Sequence, residues 1–404
     1  VNSRYFVTRE HQGLEWPRTN GSQLRKRFFR GRIFVAVSAQ TLDGPPGEHQ
    51  LTQSAKRLHE SSLVIDTHID TISHLYWRRP NFAEHLPGGR VDLPRLREGG
   101  VGAAFFAIWI DDPLDENAAL QHTLRALDAM YETVASNESD LEIALTAGDI
   151  ERIHAAGKIG VILSIEGGRA IADDLGVLRM LYRLGIRSIT LAWKGATNWI
   201  DSWYDQVHGG LTDFGRDVVL EMNRLGMLID ISHVSDKSFY DVLDISEKPV
   251  FASHSSCRAL CNHRRNMTDE MIHALADHGG VININFSSNF VVQGWDDEWT
   301  DRHWQRSGDG NVDGWDIVGG PSPNPGPPFE RLAEHFRHAL GLVGASHVGI
   351  GSDYDGVSSV PQEVEDISKL PRITESLLAD GHSESEIRSV LGLNNLRLIQ
   401  DVMG

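Results

Sequence analysis

The chain has 404 residues, 40% of them hydrophobic and 23% charged, ample for a sizeable globular core. Its net charge of −18, from 38 basic and 56 acidic residues, repels phosphate backbones and argues against nucleic acid as a partner. Two cysteines, Cys257 and Cys261, are too few for a disulfide scaffold and read as free thiols, and no apolar run approaches the roughly 20 residues of a membrane span.

Residues 1–50 read as an N-terminal extension and 51–404 as the folded domain. In the extension, Lys26, Arg27, Arg30 and Arg32 precede the short apolar run Ile33–Val37 and then Ser38-Ala39-Gln40. That pattern fits either a weak signal segment or a disordered extension, and localisation, exported or cytoplasmic, follows the choice. The stretch Asp43-Gly44-Pro45-Pro46-Gly47 breaks regular structure before the domain begins near Leu51.

From there, short β-rich runs alternate with amphipathic segments. The expected strands are Leu63–Ile69, Gly102–Ile110, Gly160–Ile165, Ser188–Trp193, Met227–Ser232, Pro249–Ser253, Val281–Phe286 and Val348–Ser352. Most are near-continuous apolar runs, as expected of parallel strands buried on both faces. Between them, Ala118–Ser136 carries Leu120, Leu124, Leu127 and Tyr131 at helical spacing, one apolar stripe. Phe214–Leu225 and Phe329–Leu342 read similarly, and Ser383 with Glu386 makes a capping box that opens the last helix. Alternating strands and helices imply right-handed βαβ units. A count of eight favours an α/β fold of the closed (β/α)₈ TIM type, with an open doubly wound sheet as the alternative.

A long insertion, Asn289–Pro328, follows the seventh strand and is rich in Gly, Pro, Asp and Trp. Segments after barrel strands emerge on the catalytic face, so it is expected to form a lid or rim. Trp295, Trp299, Trp304 and Trp315 would supply its recognition surface, and Asp296, Asp297, Glu298 and Asp301 could attract a free amino group. Packing on the outer helices, or a homodimer contact through the same aromatics, are the other uses of this composition.

Polar residues cluster at the strand ends. The first strand ends in Asp66-Thr67-His68-Ile69-Asp70, where His68 and Asp70, two apart in extended chain, point to one side. The third ends in Glu166, a carboxylate that is costly to bury unless paired or metal-bound, followed by Gly167 and Gly168, which would leave room for an approaching group. The fifth and sixth end in Ser232-His233 and Ser253-His254, and the eighth runs into Asp353-Tyr354-Asp355-Gly356. Any one of these has an ordinary structural use, a histidine bonding a carbonyl or an aspartate forming a turn. Six together at the same end of five strands make a site. Mixed imidazole and carboxylate donors suit zinc and related divalent ions. Five ligands, His68, Asp70, Glu166, His233 and His254, with one carboxylate able to bridge, suit two Zn²⁺ ions better than one.

In their order along the chain, the His68-x-Asp70, Glu166-Gly-Gly, Asp-x-Ser-His233, Ser-His254-Ser-Ser, Arg264-Arg265-Asn266 and Asp353-Tyr-Asp355-Gly elements resemble the membrane (renal) dipeptidase family of zinc metallopeptidases. The resemblance runs from about residue 60 to the C-terminus. It implies that His68 and Asp70 hold one zinc, that His233 and His254 hold the other, and that Glu166 bridges them. It implies further that Asp353 orients a bridging hydroxide and moves its proton, and that Arg265 pairs with the C-terminal carboxylate of a small peptide substrate. The activity so implied is hydrolysis of dipeptides, including those with a D-residue at the C-terminal position. The alternatives are a related metal-dependent amide, lactam or lactone hydrolase and a non-enzymatic metal-binding barrel. Two places depart from the family pattern. Trp193 stands where a histidine often ends the fourth strand, and so joins Arg265 in the expected substrate-binding set, and Arg169 stands where some members have histidine.

Overall fold

Eight parallel strands close on themselves. They are β1 (Val64–Ile69), β2 (Val101–Trp109), β4 (Ile159–Glu166), β5 (Ile186–Thr190), β6 (Leu228–Asp230), β7 (Phe251–Ala252), β8 (Val281–Ile284) and β9 (Val348–Ile350), with β3 (Leu141–Ile143) as an extra short strand. Each barrel strand pairs in parallel with its neighbour, and the β2–β4 ladder, running from Ala103 opposite Gly160 to Trp109 opposite Glu166, completes the ring. That pairing decides for the closed (β/α)₈ barrel over the open sheet. The computed structural model describes residues 51–112, 114–295 and 324–404, all in the unit Glu48–Gly404. The N-terminal extension and residues 296–323 of the insertion, including Trp299, Trp304 and Trp315, lie outside the described residues.

The strand β3 was not expected. Its three residues pair with Ile159–Val161 at the start of β4, on the edge that β5 takes over from Leu163 onward. The edge of β4 is thus shared end to end by two strands, and Ala144 N–H continues the junction by donating to Val161 O.

The helix Glu116–Ser136 begins at Asp115, whose side chain accepts from Ala118 N–H. Its inward face differs from the expected stripe. Leu127 is buried, but Leu124 and Tyr131 are 44% and 42% exposed, and the packed face is Ala119, Thr123, Ala126, Leu127 and Met130. Small residues let the helix lie close to its neighbours. Tyr131 instead lies along the surface and donates its hydroxyl to Leu184 O.

At the other end of the chain, the capping box of Ser383 and Glu386 is present and opens Glu384–Arg388. A π turn, Ser389–Leu393, joins that segment to the last helix, Asn394–Met403. Leu398, Ile399 and Val402 of this helix pack with Ile65, Phe105, Phe251 and Val281 from the strands. Lys248 donates to Asp401 O and Arg397 to Gly279 O, both in the segments that lead into β7 and β8. The C-terminal helix therefore covers the N-terminal end of the barrel, and the opposite mouth carries the clustered polar residues.

At that mouth the ladders give way early. Asp66 Oδ1 accepts from His68 N–H and Ser352 N–H, and Asp230 Oδ1 accepts from Ser232 N–H and Ser253 N–H. Each carboxylate replaces carbonyls as the acceptor between two neighbouring strands. That is why β6 and β7 are shorter than the apolar runs Met227–Ser232 and Pro249–Ser253.

Candidate metal centre and active site

His68 lies in β1 and Asp70 just beyond it. Glu166 ends β4, His233 and His254 follow β6 and β7, and Asp353 follows β9. All six are buried. His233 (φ 70°) and Asp353 (φ 64°) adopt the left-handed backbone region. That conformation costs a residue with a β-carbon about 1 kcal/mol or more, and such strain concentrates at functional sites.

The side chains converge. Glu166 Oε1 is 2.8 Å from His233 Nε2 and 3.3 Å from His254 Nε2, while Glu166 Oε2 is 3.6 Å from His68 Nε2. His68 Nε2 is 3.3 Å from Asp70 Oδ2. The donors of His68, Glu166 and His254 lie mutually within 4.8 Å, and so do those of His68, Asp70 and Asp353.

A hydrogen-bond relay fixes one imidazole. Ser253 Oγ donates to Asp230 Oδ2 at 2.6 Å, so it accepts from His254 Nδ1–H at 2.7 Å. The Nε2 of His254 then carries a lone pair, aimed at Glu166 Oε1 and at His233 Nε2, 2.9 Å away. A lone pair and a carboxylate oxygen facing one another in a buried pocket repel unless a proton or a cation lies between them. Among the described residues, His68 Nε2, His233 Nδ1 and Asp70 Oδ1 are buried without a hydrogen-bond partner. The residues fit a metal centre.

The electrostatics point the same way. Burial, together with the carboxylates of Asp70 and Glu166, pushes Asp353 up to about 8. Burial likewise lifts Asp70 to about 6. Burial opposes ionisation of Glu166 too, but His68 and the hydrogen bond from His233 outweigh it and hold Glu166 well below the ordinary range. Burial, reinforced by Arg265, drops His233 to about 4. Burial and His68 hold His254 well below 6.5. Burial opposes a charge on His68, but the Asp70 and Glu166 carboxylates raise it well above 6.5, so the two neutral imidazoles and three crowded carboxyl groups draw positive charge to their centre.

The centre forms one wall of a cavity of about 180 Å³, bordered also by Trp109, Trp193, Trp203, Arg265 and Phe290. Arg265 is buried, and its guanidinium donates to Ser255 Oγ and His254 O at 3.3 and 3.0 Å. Burial brings it down to about 10, and its Nε has no hydrogen-bond partner among the described residues. No carboxylate lies within 4.0 Å of it among the described residues.

The family model for membrane dipeptidases, peptidase family M19, matches residues 52–403. The chain belongs to that family. It is 33% identical over 376 residues to the dipeptidase verJ of Clonostachys rogersoniana, covering 88% of each chain. Among solved structures it is similar to the dipeptidase AC, a metallopeptidase of the same family, with 27% identity and a TM-score of 0.73 over 85% of this chain and 99% of that one. It is similar also to a metallopeptidase from Rhodobacter sphaeroides bound to a phosphinate mimic of L-Ala-D-Ala, with 27% identity and a TM-score of 0.71 over 85% and 100%. Membership of this family makes the chain a metal-dependent hydrolase of the dipeptidase type.

Two departures from the dipeptidase pattern differ in consequence. Trp193 is in the cavity wall, its ring 5.0 Å from that of Trp109 and 6.4 Å from that of His233. Arg169 is bound elsewhere. Its guanidinium donates to Asp112 O, Leu114 O and Ala196 O, tying the loop after β2 to the loop after β5. The reading of Gly167 and Gly168 as space for an approaching group is corrected. Gly167 has φ 121°, and a β-carbon on Gly168 would overlap Leu191 O and the Trp199 ring. The pair allows the chain to turn tightly against its own core.

Asn285, which the strand pattern passes over, donates to Asp353 Oδ2 at 2.8 Å. The alternation Asn283-Ile284-Asn285 at the end of an apolar run is the signal that could have marked it. Asp355 is a brace, accepting from Thr71 Oγ1 at 2.7 Å and Arg90 N–H at 2.6 Å. Trp203 and Lys194 reach the cavity from irregular segments, and Phe290 from the short helix Ser288–Val291, whose spacing announces nothing. Among the described residues, no helix is long and apolar enough to cross a membrane.

Proposed function

We propose that this chain hydrolyses the peptide bond of dipeptides using two divalent ions, zinc in the first instance, held by His68, Asp70, Glu166, His233 and His254. The observation that carries the reading is the pair of overlapping donor groups, His68–Glu166–His254 and His68–Asp70–Asp353, which meet at one imidazole. When bound, such ions acidify a water molecule and polarise the scissile carbonyl.

The other roles belong to side chains. Asp353, held by Asn285 at the cavity wall, takes a proton from the attacking water and returns it to the leaving amine. Arg265 carries a buried positive charge at the cavity, with no carboxylate within 4.0 Å among the described residues, which suits it to a substrate's free C-terminal carboxylate. Trp193 offers a flat apolar face where a histidine would offer a proton, so it packs against substrate and carries no charge in the reaction. The relative solved with an L-Ala-D-Ala mimic supports extending the substrate range to a D-residue at the C-terminal position.

The test is a metal titration read against turnover. Chelated protein is reconstituted with Zn²⁺ and assayed on a dipeptide library that includes L,D pairs. Two equivalents at saturation, with activity rising in step, are expected. Full activity at one equivalent, or a library with no substrate in it, would overturn the reading.

A further inference from the structure

A second cavity, of about 370 Å³, adjoins the first. Ser73 and Trp109 belong to the walls of both. The second cavity lies between the helix Thr71–Arg78, which follows Asp70 directly, and the opening turns of the helix Glu116–Ser136. Ser73, Tyr76 and Trp77 stand at i, i+3 and i+4 on the first helix, and so share one face of it. His122 faces them from the second helix, its ring 5.3 Å from Tyr76 and 6.0 Å from Trp77, and its Nε2 lies 3.2 Å from Trp109 O. Three of the walls are therefore large flat rings. Ser73, which the two cavities share with Trp109, has only a hydroxymethyl side chain.

The direction of the substrate follows from the first cavity. Arg265 lies over the Phe290 ring, and His263 links Phe290 to Trp203, while Asp70, Ser73 and Trp109 come from the ends of β1 and β2, across the barrel from β6 and β7. A carboxyl end seated on Arg265 sends the amino-terminal residue toward Ser73. We propose that the second cavity receives the side chain of the substrate's amino-terminal residue and selects an aromatic one. This rests on the dipeptidase reading above. The volume takes a bulky group, and the Tyr76, Trp77 and Trp109 rings offer faces and edges against which another ring packs.

The test uses the metal-loaded full chain and compares kcat/KM on Ala-Ala, Phe-Ala, Trp-Ala and Lys-Ala. Two variants are made outside the catalytic cavity. Ala118→Trp fills the second cavity, and Trp77→Ala removes one of its rings. The wild type is expected to favour Phe-Ala or Trp-Ala over Ala-Ala by about tenfold or more, since a single methylene in a fitted pocket is worth roughly tenfold. Both variants should bring that ratio toward one, and Trp77→Ala carries the test if Ala118→Trp does not fold. Equal rates on Ala-Ala and Phe-Ala, a preference for Lys-Ala, or an unchanged ratio in the folded variants would overturn this inference alone. Absence of turnover on every dipeptide would overturn the dipeptidase reading beneath it.

Discussion

Asn285 on the strand-end side and Asp353 on the loop side are joined by a single hydrogen bond of 2.8 Å, from the amide to Asp353 Oδ2. The bond orients a carboxyl group whose backbone is already in a strained, left-handed conformation. Removing it should loosen the group without removing a metal ligand. Asn285→Ala is expected to lower kcat about tenfold, with metal content and KM little changed. Asp353→Asn should retain metal and lose about 10²–10⁴-fold, the usual contribution of a general acid–base group. Steady-state kinetics beside metal analysis on both variants checks this, and near-normal turnover in Asp353→Asn would mean the proton travels by another group.

Gly356 packs against the same region. A β-carbon there would overlap Asp70 Oδ2 and press on Asp353 Oδ1. Gly356→Ala should therefore displace two carboxylates at once, while the barrel beneath is untouched. Misplacement of reacting groups by about 1 Å can cost about 10²-fold. The expected result is a kcat/KM lower by about that factor and weaker metal retention on dialysis. An unchanged circular dichroism spectrum would locate the effect at the site.

Arg265 is tested by its substrate. Loss of a charge-assisted bidentate contact is worth roughly 100-fold. Arg265→Ala should lose about that much on free dipeptides and far less on dipeptides whose terminal carboxylate is amidated. Equal losses on the two would assign Arg265 to holding Ser255 and the His254 carbonyl in place.

Much of the barrel is legible in the sequence because its strands are buried on both faces and so appear as bare apolar runs. The strand-end histidines and carboxylates stand out against those runs for the same reason. Other features depend on three-dimensional proximity alone. The strand β3 is three residues long and takes its place from an edge that β5 leaves free. Ser73 looks unremarkable among helix residues until Trp109 is seen across the same partition. Asp230 and Ser253 read as ordinary strand-end polar residues, yet together they set the tautomer of His254. The helix stripe through Leu124 and Tyr131 misleads because alanines and a threonine, which carry little hydropathy signal, are what close packing requires.

A final expectation concerns acid stability away from the cavity. His335 lies in the helix Phe329–Val343, fully buried, where Nδ1 accepts from Cys257 N–H at 3.0 Å and Nε2 donates to Val291 O at 3.1 Å. The bond from Cys257 needs the neutral ring, since a protonated Nδ1 cannot accept, and burial holds His335 at about 4. The sign follows from proton counts. Between 6.5 and about 4 the unfolded chain binds a proton that the folded chain does not, so stability falls as pH falls through that window and is complete above it. At about 1.4 kcal/mol per pH unit, the gap between 6.5 and about 4 corresponds to ~3 kcal/mol. Denaturant unfolding of the chelated protein at pH 7.5, 6.0 and 4.5 measures the loss, and His335→Gln supplies the control. The variant should be less stable at pH 7.5, since it gives up the fitted ring, but should lose less on acidification than the wild type does. Parallel pH dependences in the two proteins would show that His335 is not the group responsible.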